Sequence, residues 1–399
     1  MNGKKTIRQK LLTVSLALAC LPGTALAASF PATDPAIHYE GRWQENGGCY
    51  EAAQGAVYLE TDFTGTHIAA DLQDHENRWL VSIDGGPSRK VRAAADGPTV
   101  LAEGLPAGRH TLRLERATEG SYGISHFRGL EADSLEAPAR QAERLRLEFV
   151  GDSITAGFRN DGIKHGHNDA AIEDGSMAFA PQLARLLGAD YSVVAKSGEG
   201  VVHNWGAPWP DRGLHTEERY RWTLYGAHKT PGNTIWQSEK LPVSAVILAL
   251  GTNDFSDKER RPYHEEYVQA WTSLIRQVHE MNPAAPIICL EPLPAAVSPL
   301  AGLWIEEACE RAQREGIPAH YIALNADGPL LAPRGLRRRR HAPDEGRLFE
   351  ARRLPRSAPR ALPAPSLTGP GHRRVPAPDP RAVVHETYYL DNGQPFHST

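Results

Sequence analysis

Cysteine is scarce in this sequence. The four residues, at 20, 49, 289 and 309, lie too far apart to form the close pairs of a metal-binding motif. Cys20 falls in an apolar leader, which leaves three: at most one disulfide and one free thiol. Cys289 sits in an apolar strand and Cys309 in a helical stretch, so both are predicted to be buried, inert thiols. A surplus of positive charge is missing too. Lys and Arg number 44 against 48 Asp and Glu, giving a net charge of −4. No basic field recommends nucleic acid as a partner. Beyond the leader no apolar run approaches the roughly 20 residues that span a bilayer, so stable membrane insertion is not expected. The 399 residues are 41% hydrophobic and 23% charged, enough apolar material for two cores and so for two domains rather than one.

The leader has three parts. Lys4, Lys5, Arg8 and Lys10 form a basic start, Leu11 to Leu21 a short apolar stretch, and Ala25-Leu26-Ala27 a small-x-small cleavage site before Ala28. Residues 1–28 therefore read as a bacterial signal peptide, which places the mature chain in the periplasm or outside the cell.

Residues 29–135 read as all-β. Val57, Leu59, Thr61 and Phe63 alternate until Gly65 breaks the run; Ile68, Ala70 and Leu72 alternate again. Trp79, Val81 and Ile83 form a third run closed by Asp84-Gly85-Gly86, and Leu112 and Leu114 another after Pro106-Ala107-Gly108. Short alternating runs between turn residues predict a β-sandwich. Residues 133–144 are polar and read as a connector. From 145 strands and helices alternate. Strands are predicted to end at Val150 and Ala195 and to span Val243–Leu250, Ile287–Leu290 and His320–Leu324. Helices are predicted through Phe179, Leu183 and Leu186, through Val268, Trp271, Ile275 and Val278, and from Leu303 to Arg314. This pattern, over 145–330, predicts a doubly wound α/β domain that binds ligands at the carboxyl ends of its strands.

Three of those strand ends carry unusual residues. The first runs into Gly151-Asp152-Ser153-Ile154-Thr155-Ala156-Gly157, which sets a serine at the start of a helix with its own N–H facing outward. The second ends in Ser197-Gly198-Glu199-Gly200, where glycine can offer a bare N–H. The third ends in Gly251-Thr252-Asn253-Asp254, where an asparagine can donate to the same oxyanion. Taken singly, each is ordinary turn or cap chemistry, and Asp152 reads as a helix cap. Their order on successive strand ends is what points to a hydrolase.

G-D-S-I-T-A-G, S-G-E-G and G-T-N-D resemble the first three blocks of the SGNH, or GDSL-type, hydrolases. Gly41-Arg42-Trp43, Phe63-Thr64-Gly65, Asp84-Gly85-Gly86 and Gly104-Leu105-Pro106 through His110-Thr111 are similar to the N-terminal jelly roll of carbohydrate esterase family 2. The resemblance covers residues 30–330. It implies a jelly-roll β-sandwich followed by an α/β/α, flavodoxin-like hydrolase domain. It further implies removal of acetyl groups from cell-wall sugars such as xylan and glucomannan, and no metal or organic cofactor. Ser153 is the implied nucleophile, with oxyanion donors from Ser153 N–H, Gly198 and Asn253; Gly200 is the alternative to Gly198.

The family's histidine belongs in an Asp-x-x-His or Asp-x-His-Pro motif after the last strand, and that motif is absent. Residues 333–381 hold 13 Arg and 10 Pro in 49 positions. Such a segment cannot form the closing helix and is expected to be disordered. A natural basic, proline-rich tail is one reading; the abrupt shift in composition favours a change of reading frame near Arg334. His341 is the one histidine near the expected place, with Asp344 after it rather than before. The chain as written is then expected to be a crippled or inactive esterase.

Trp205, Trp209, Trp222, Trp236 and Trp304 are candidate sugar platforms, though packing at domain edges is the commoner use of tryptophan. His203 is a candidate substitute base, more ordinarily a loop histidine. Residues 206–240 read as a long loop that shapes the cleft. Two competing functions remain from sequence: an SGNH esterase or lipase on other acyl esters, and a non-catalytic sugar-binding protein.

Overall fold

The computed structural model describes residues 27–74, 76–139, 144–162, 170–257, 259–293 and 299–324. They belong to one unit that ends at Ala326. Residues 1–26 of the expected leader and everything from 325 onward, His341 included, lie outside the described residues.

The first lobe is built from β1 (Ala28–Pro31), β2 (His38–Glu40), β3 (Gln44–Asn46), β4 (Cys49–Ala52), β5 (Tyr58–Gln73), β6 (Trp79–Ile83), β7 (Arg89–Val91), β8 (Thr99–Arg116), β9 (Ser125–Ala132) and β10 (Ser134–Glu136). The strand order is β3-β4-β9-β5-β8-β6-β7, with β1 on β9 and with β2 and β10 on β5. Alternation buries Leu59, Phe63, Ile68, Trp79, Val81, Leu112, Leu114 and Phe127 in one core.

Two sequence expectations are corrected here. Gly65 does not end a strand, and Pro106-Ala107-Gly108 does not precede one: both lie inside the long strands β5 and β8. Pairing of β5 with β8 breaks register between Gly65 and His67 and again between Ile68 and Ala69. Ahead of these bulges β5 is flanked by β2 and β10; beyond them it is flanked by β9. The bulges let one strand serve both layers of the sandwich. The expected connector also begins as structure, since β10 pairs Leu135 with Phe63.

The second lobe comprises β11 (Arg146–Gly151), α1 (Ser153–Ala156), α2 (Phe179–Leu186), β12 (Asp190–Ala195), α3 (Thr216–Tyr220), β13 (Ala245–Ala249), α4 (His264–Met281), β14 (Ile287–Leu290), α5 (Pro299–Arg314) and β15 (Ala319–Ile322). The strands are parallel in the order β12-β11-β13-β14-β15. Their side chains alternate between two covered faces. Phe149, Val193 and Ile247 lie with α2 and with Tyr58 of the first lobe. Val150, Val194 and Leu248 lie with α4 and α5. The chain leaves β11 for β12 on one side and returns to β13 on the other, which makes the carboxyl end of β11 the switch point where ligands bind. Cys289 and Cys309 are buried, Cys49 is half-buried, and none of the three is in a disulfide. No helix among the described residues is long and apolar enough to cross a membrane.

Charged side chains join the lobes. Arg42 is only 1% exposed. Its Nη2 and Nε donate to Glu148 of β11 at 3.0 and 3.3 Å, and its guanidinium lies 4.5 Å from the centre of the Tyr220 ring. Arg146 donates to both oxygens of buried Glu40 at 2.7 and 2.8 Å. The Tyr58 hydroxyl donates to Asp190 at 2.8 Å. Gly120 and Gly226 meet so closely that a Cβ on Gly120 would stand 2.5 Å from the Cα of Gly226. Residues 206–240, expected as a loop, contain α3, short 3-10 turns and a bridge between Trp222 and Ile235. First-lobe side chains hold this stretch: Gln54 donates to Thr223 O and Gln44 accepts from Thr234 N–H.

Candidate active site

Gly151 pairs in register with Ala195 of β12 and Ala249 of β13. Strands in a sheet lie about 4.8 Å apart. Ser153, Gly198 and Asn253 follow those three residues by two, three and four positions, so they emerge on one edge of the sheet.

Ser153 opens α1, and Asp152 caps it by accepting the Ile154 N–H at 3.0 Å. The capping role expected for Asp152 is thus seen directly. Burial pushes its carboxyl up to about 7, against the pull of the Ile154 N–H. The first N–H groups of a helix have no partner within it. Ser153 is partly exposed, and neither its N–H nor its hydroxyl is bonded to any described residue.

Gly198 has φ +81°, a conformation that favours glycine. Its carbonyl accepts the Trp205 N–H at 2.9 Å, while its own N–H has no partner among the described residues. Asn253 begins a 3-10 turn and is 6% exposed. Its Nδ2 donates to Glu199 O at 2.6 Å and to Asp152 Oδ2 at 3.3 Å. The asparagine therefore ties the serine-bearing turn to the glycine-bearing loop. Its second N–H, on the longer bond, is the one an incoming oxygen can recruit. Two unpaired backbone donors and one loosely engaged amide at a common edge can hold an oxyanion.

Other residues placed there were not singled out from sequence. Asp254 is fully buried and accepts N–H bonds from Val201, Val202 and His203 at 2.7 to 3.1 Å. Glu199 is buried between Arg219 Nε at 3.2 Å and Lys196 Nζ at 3.9 Å, and burial pushes its carboxyl up to about 7. Glu119 arrives from the first lobe and accepts the Ser197 N–H at 2.5 Å. Asp254 directly follows Asn253 and could have been suspected; Glu119 has no local signal. Among the described residues no three His, Cys, Asp or Glu side chains gather as a metal site requires.

Of the five tryptophans, four pack into the protein. Trp209 stacks on His203 at 4.7 Å, the Trp222 carbonyl receives Arg42 at 3.2 Å, and Trp236 lies 5.6 Å from the same guanidinium. Trp304 packs against Phe255 and Tyr267 at 5.8 and 5.9 Å. Trp205 alone is largely exposed, at 52%, beside Gly198. His203 is buried and its Nε2 meets Ala207 O at 3.2 Å, which ties it to its own loop.

Comparison with known proteins agrees with this arrangement. Residues 39–141 match the family described as carbohydrate esterase 2 N-terminal, and residues 149–348 the GDSL-like lipase/acylhydrolase family. The second match runs past the described residues and takes in His341. An acetylxylan esterase/glucomannan deacetylase of Cellvibrio japonicus is 30% identical over 256 residues, 60% of this chain and 68% of the relative. The solved family two carbohydrate esterase of Clostridium thermocellum, in complex with cellohexaose, superposes with a TM-score of 0.64 at 28% identity, covering 72% of this chain and 88% of that one. A family two carbohydrate esterase of Cellvibrio japonicus shares the fold with a TM-score of 0.67 at 21% identity, over 74% of this chain and 88% of that one. The chain belongs to carbohydrate esterase family 2, with a β-rich N-terminal lobe and a GDSL-like acylhydrolase lobe.

Proposed function

We propose that this chain is a serine esterase that removes O-acetyl groups from plant cell-wall polysaccharides or oligosaccharides. Ser153 is the nucleophile, and the N–H groups of Ser153 and Gly198 with Asn253 Nδ2 are the oxyanion donors. The observation that carries this is the pair of N–H groups at Ser153 and Gly198 that have no partner among the described residues, on adjacent strand ends braced by Asn253. The activities named for the relatives support the same substrate class. In the first step the Ser153 oxygen bonds to the acetyl carbon and the sugar oxygen leaves, taking up the proton that the serine gave to a base. In the second, water displaces the serine and acetate departs. Export through residues 1–28 belongs to the same proposal.

The base is the weak place. His341 is the candidate, and the composition of 333–381 supports a second reading, in which the oxyanion site is intact but turnover is slow for want of a well-placed histidine. Oxyanion donors and binding alone retain roughly 10³–10⁴-fold over water. The test measures p-nitrophenyl acetate hydrolysis and acetate release from acetylated xylan by the 399-residue chain, its Ser153→Ala variant and a chain with the reading frame restored after Arg334. Equal Ser153-dependent rates with and without restoration would refute slow turnover. Absence of Ser153-dependent hydrolysis in both would refute the esterase. A faster rate on longer acyl chains would move the substrate away from acetylated sugars.

A further inference from the structure

Gly198 cannot orient its own N–H, because glycine resists rotation in neither direction. The orientation has to come from the anchors on either side. Downstream, the Gly198 carbonyl is held by Trp205 N–H at 2.9 Å. The turn beyond it is held by Asp254, which gathers three successive N–H groups. Upstream, Lys196 N–H reaches Gly151 O at a long 3.3 Å. The short bond is to Ser197 N–H, and its acceptor comes from the other lobe: Glu119 Oε2 at 2.5 Å.

Glu119 is itself built to stay where it is. It is fully buried at the turn that follows β8. Its Oε1 accepts from Ser121 Oγ at 2.9 Å. Its backbone N–H donates to Glu173 Oε1 at 2.5 Å. Glu173 is held in turn by Lys90 of β7, whose Nζ donates to Glu173 O at 2.9 Å and to Ala171 O at 3.2 Å. Next door, the contact between Gly120 and Gly226 sets the depth to which this turn enters the second lobe. Burial pushes the Glu173 carboxyl up to about 9, so it keeps its proton at neutral pH.

We propose that Glu119 is a positioning residue: from the β-lobe it fixes the peptide between Lys196 and Ser197, one residue ahead of Gly198, and so aims the Gly198 N–H at the substrate oxygen. The sandwich thereby completes the hydrolase site instead of merely adjoining it. The proposal rests on the reading of Ser153 and Gly198 given above. Loss of the anchor frees the loop without touching the nucleophile. A misplacement of about 1 Å in such a site costs about a hundredfold in rate.

The test uses the full 399-residue chain, and the frame-restored chain beside it, with three variants. Glu119→Gln keeps an acceptor oxygen at the same reach, Glu119→Asp withdraws it by one methylene, and Glu119→Ala removes it. Hydrogen–deuterium exchange over residues 196–204 is read in every variant and needs no turnover. Exchange at Ser197 should quicken about tenfold in the Asp and Ala variants, as expected for loss of one hydrogen bond. The Gln variant should stay near the parent. In whichever chain shows Ser153-dependent turnover of p-nitrophenyl acetate, kcat should fall about ten- to a hundredfold in the Asp and Ala variants, with KM within about twofold and most of kcat kept by Gln. The Asp variant carries the test if the Ala variant does not fold. Unchanged exchange at Ser197, a parent-like kcat in the folded Asp variant, or a Gln variant as slow as Asp would each overturn the proposal. If neither chain turns over through Ser153, the esterase reading fails and the exchange result alone decides the anchor.

Discussion

Replacing Arg42 by alanine should be among the most damaging single changes outside the active site. The guanidinium supplies two of the N–H groups that reach the Glu148 carboxylate, at 3.0 and 3.3 Å. Without them that carboxylate, on the second of the five parallel strands, keeps among the described residues only the hydroxyls of Tyr220 and Ser192, at 2.6 and 3.1 Å. The carbonyls of Tyr220 and Trp222 lose their donor as well, and the Tyr220 ring loses the cation above it. Breaking one side of a buried ion pair costs about 3–5 kcal/mol, because a charge is left without compensation. Arg42→Lys should recover little of this, since one ammonium cannot serve a carboxylate and two carbonyls at once. Arg42→Met combined with Glu148→Leu removes both charges and should lose much less than the two single changes added together. Urea unfolding at pH 7, followed by tryptophan fluorescence, measures the parent, Arg42→Ala, Arg42→Lys, the single changes Arg42→Met and Glu148→Leu, and the double variant. A loss below about 1 kcal/mol for Arg42→Ala, or a strictly additive cycle, would refute the view that this pair is a buried and mutually dependent joint.

Other outcomes follow from the same geometry. Gly198→Ala meets nothing nearer than Trp205 Cβ at 3.7 Å, so it should cost only the about 1–2 kcal/mol of a left-handed alanine, whereas Gly200→Ala would set a Cβ 2.0 Å from His203 O and should unfold the loop; unfolding free energies in the reverse order would count against the loop structure. Trp205→Ala should raise KM for acetylated oligosaccharides about three- to tenfold, an aromatic contact's worth, and leave p-nitrophenyl acetate unaffected; equal KM values on the sugar would remove Trp205 from the substrate path. Glu173 has a folded value of about 9 against an ordinary 4.5, so the unfolded chain ionises first and stability declines as pH rises between those values. Glu173→Gln should therefore gain in Tm over the parent as pH goes from 5 to 9, and a constant difference would show that the group is not held protonated.

Much of the α/β lobe could be read directly, because a parallel strand covered on both faces leaves an unbroken apolar run. The segment Ile287–Leu290 appears in the structure with the bounds that run suggests. The three strand-end blocks were legible for a related reason: each lies within four residues of a strand terminus, so local sequence fixes where it emerges. The sandwich was read less well. Gly65 and Pro106-Ala107-Gly108 look like punctuation, and a bulge that lets a strand turn from one layer to the other uses the same residues as a turn that ends it. Glu119 was invisible for a different reason. Its partner, Ser197 N–H, lies 78 positions along the chain, and nothing around residue 119 announces an acceptor for it. His341 falls in sequence that the described residues do not reach, so its part in the reaction rests on the assays above.

The meeting of Gly120 with Gly226 bears on how this architecture can change over time. Each of the two residues would collide with backbone of the other loop if it gained even a methyl group. Neither can drift alone, and no compensating shrinkage is available, because both are already the smallest residue. Lineages that inherit this joint can vary the segment 206–240 on one side of it and the sandwich on the other, but graft a foreign β-lobe only if it brings its own bare backbone to the same spot.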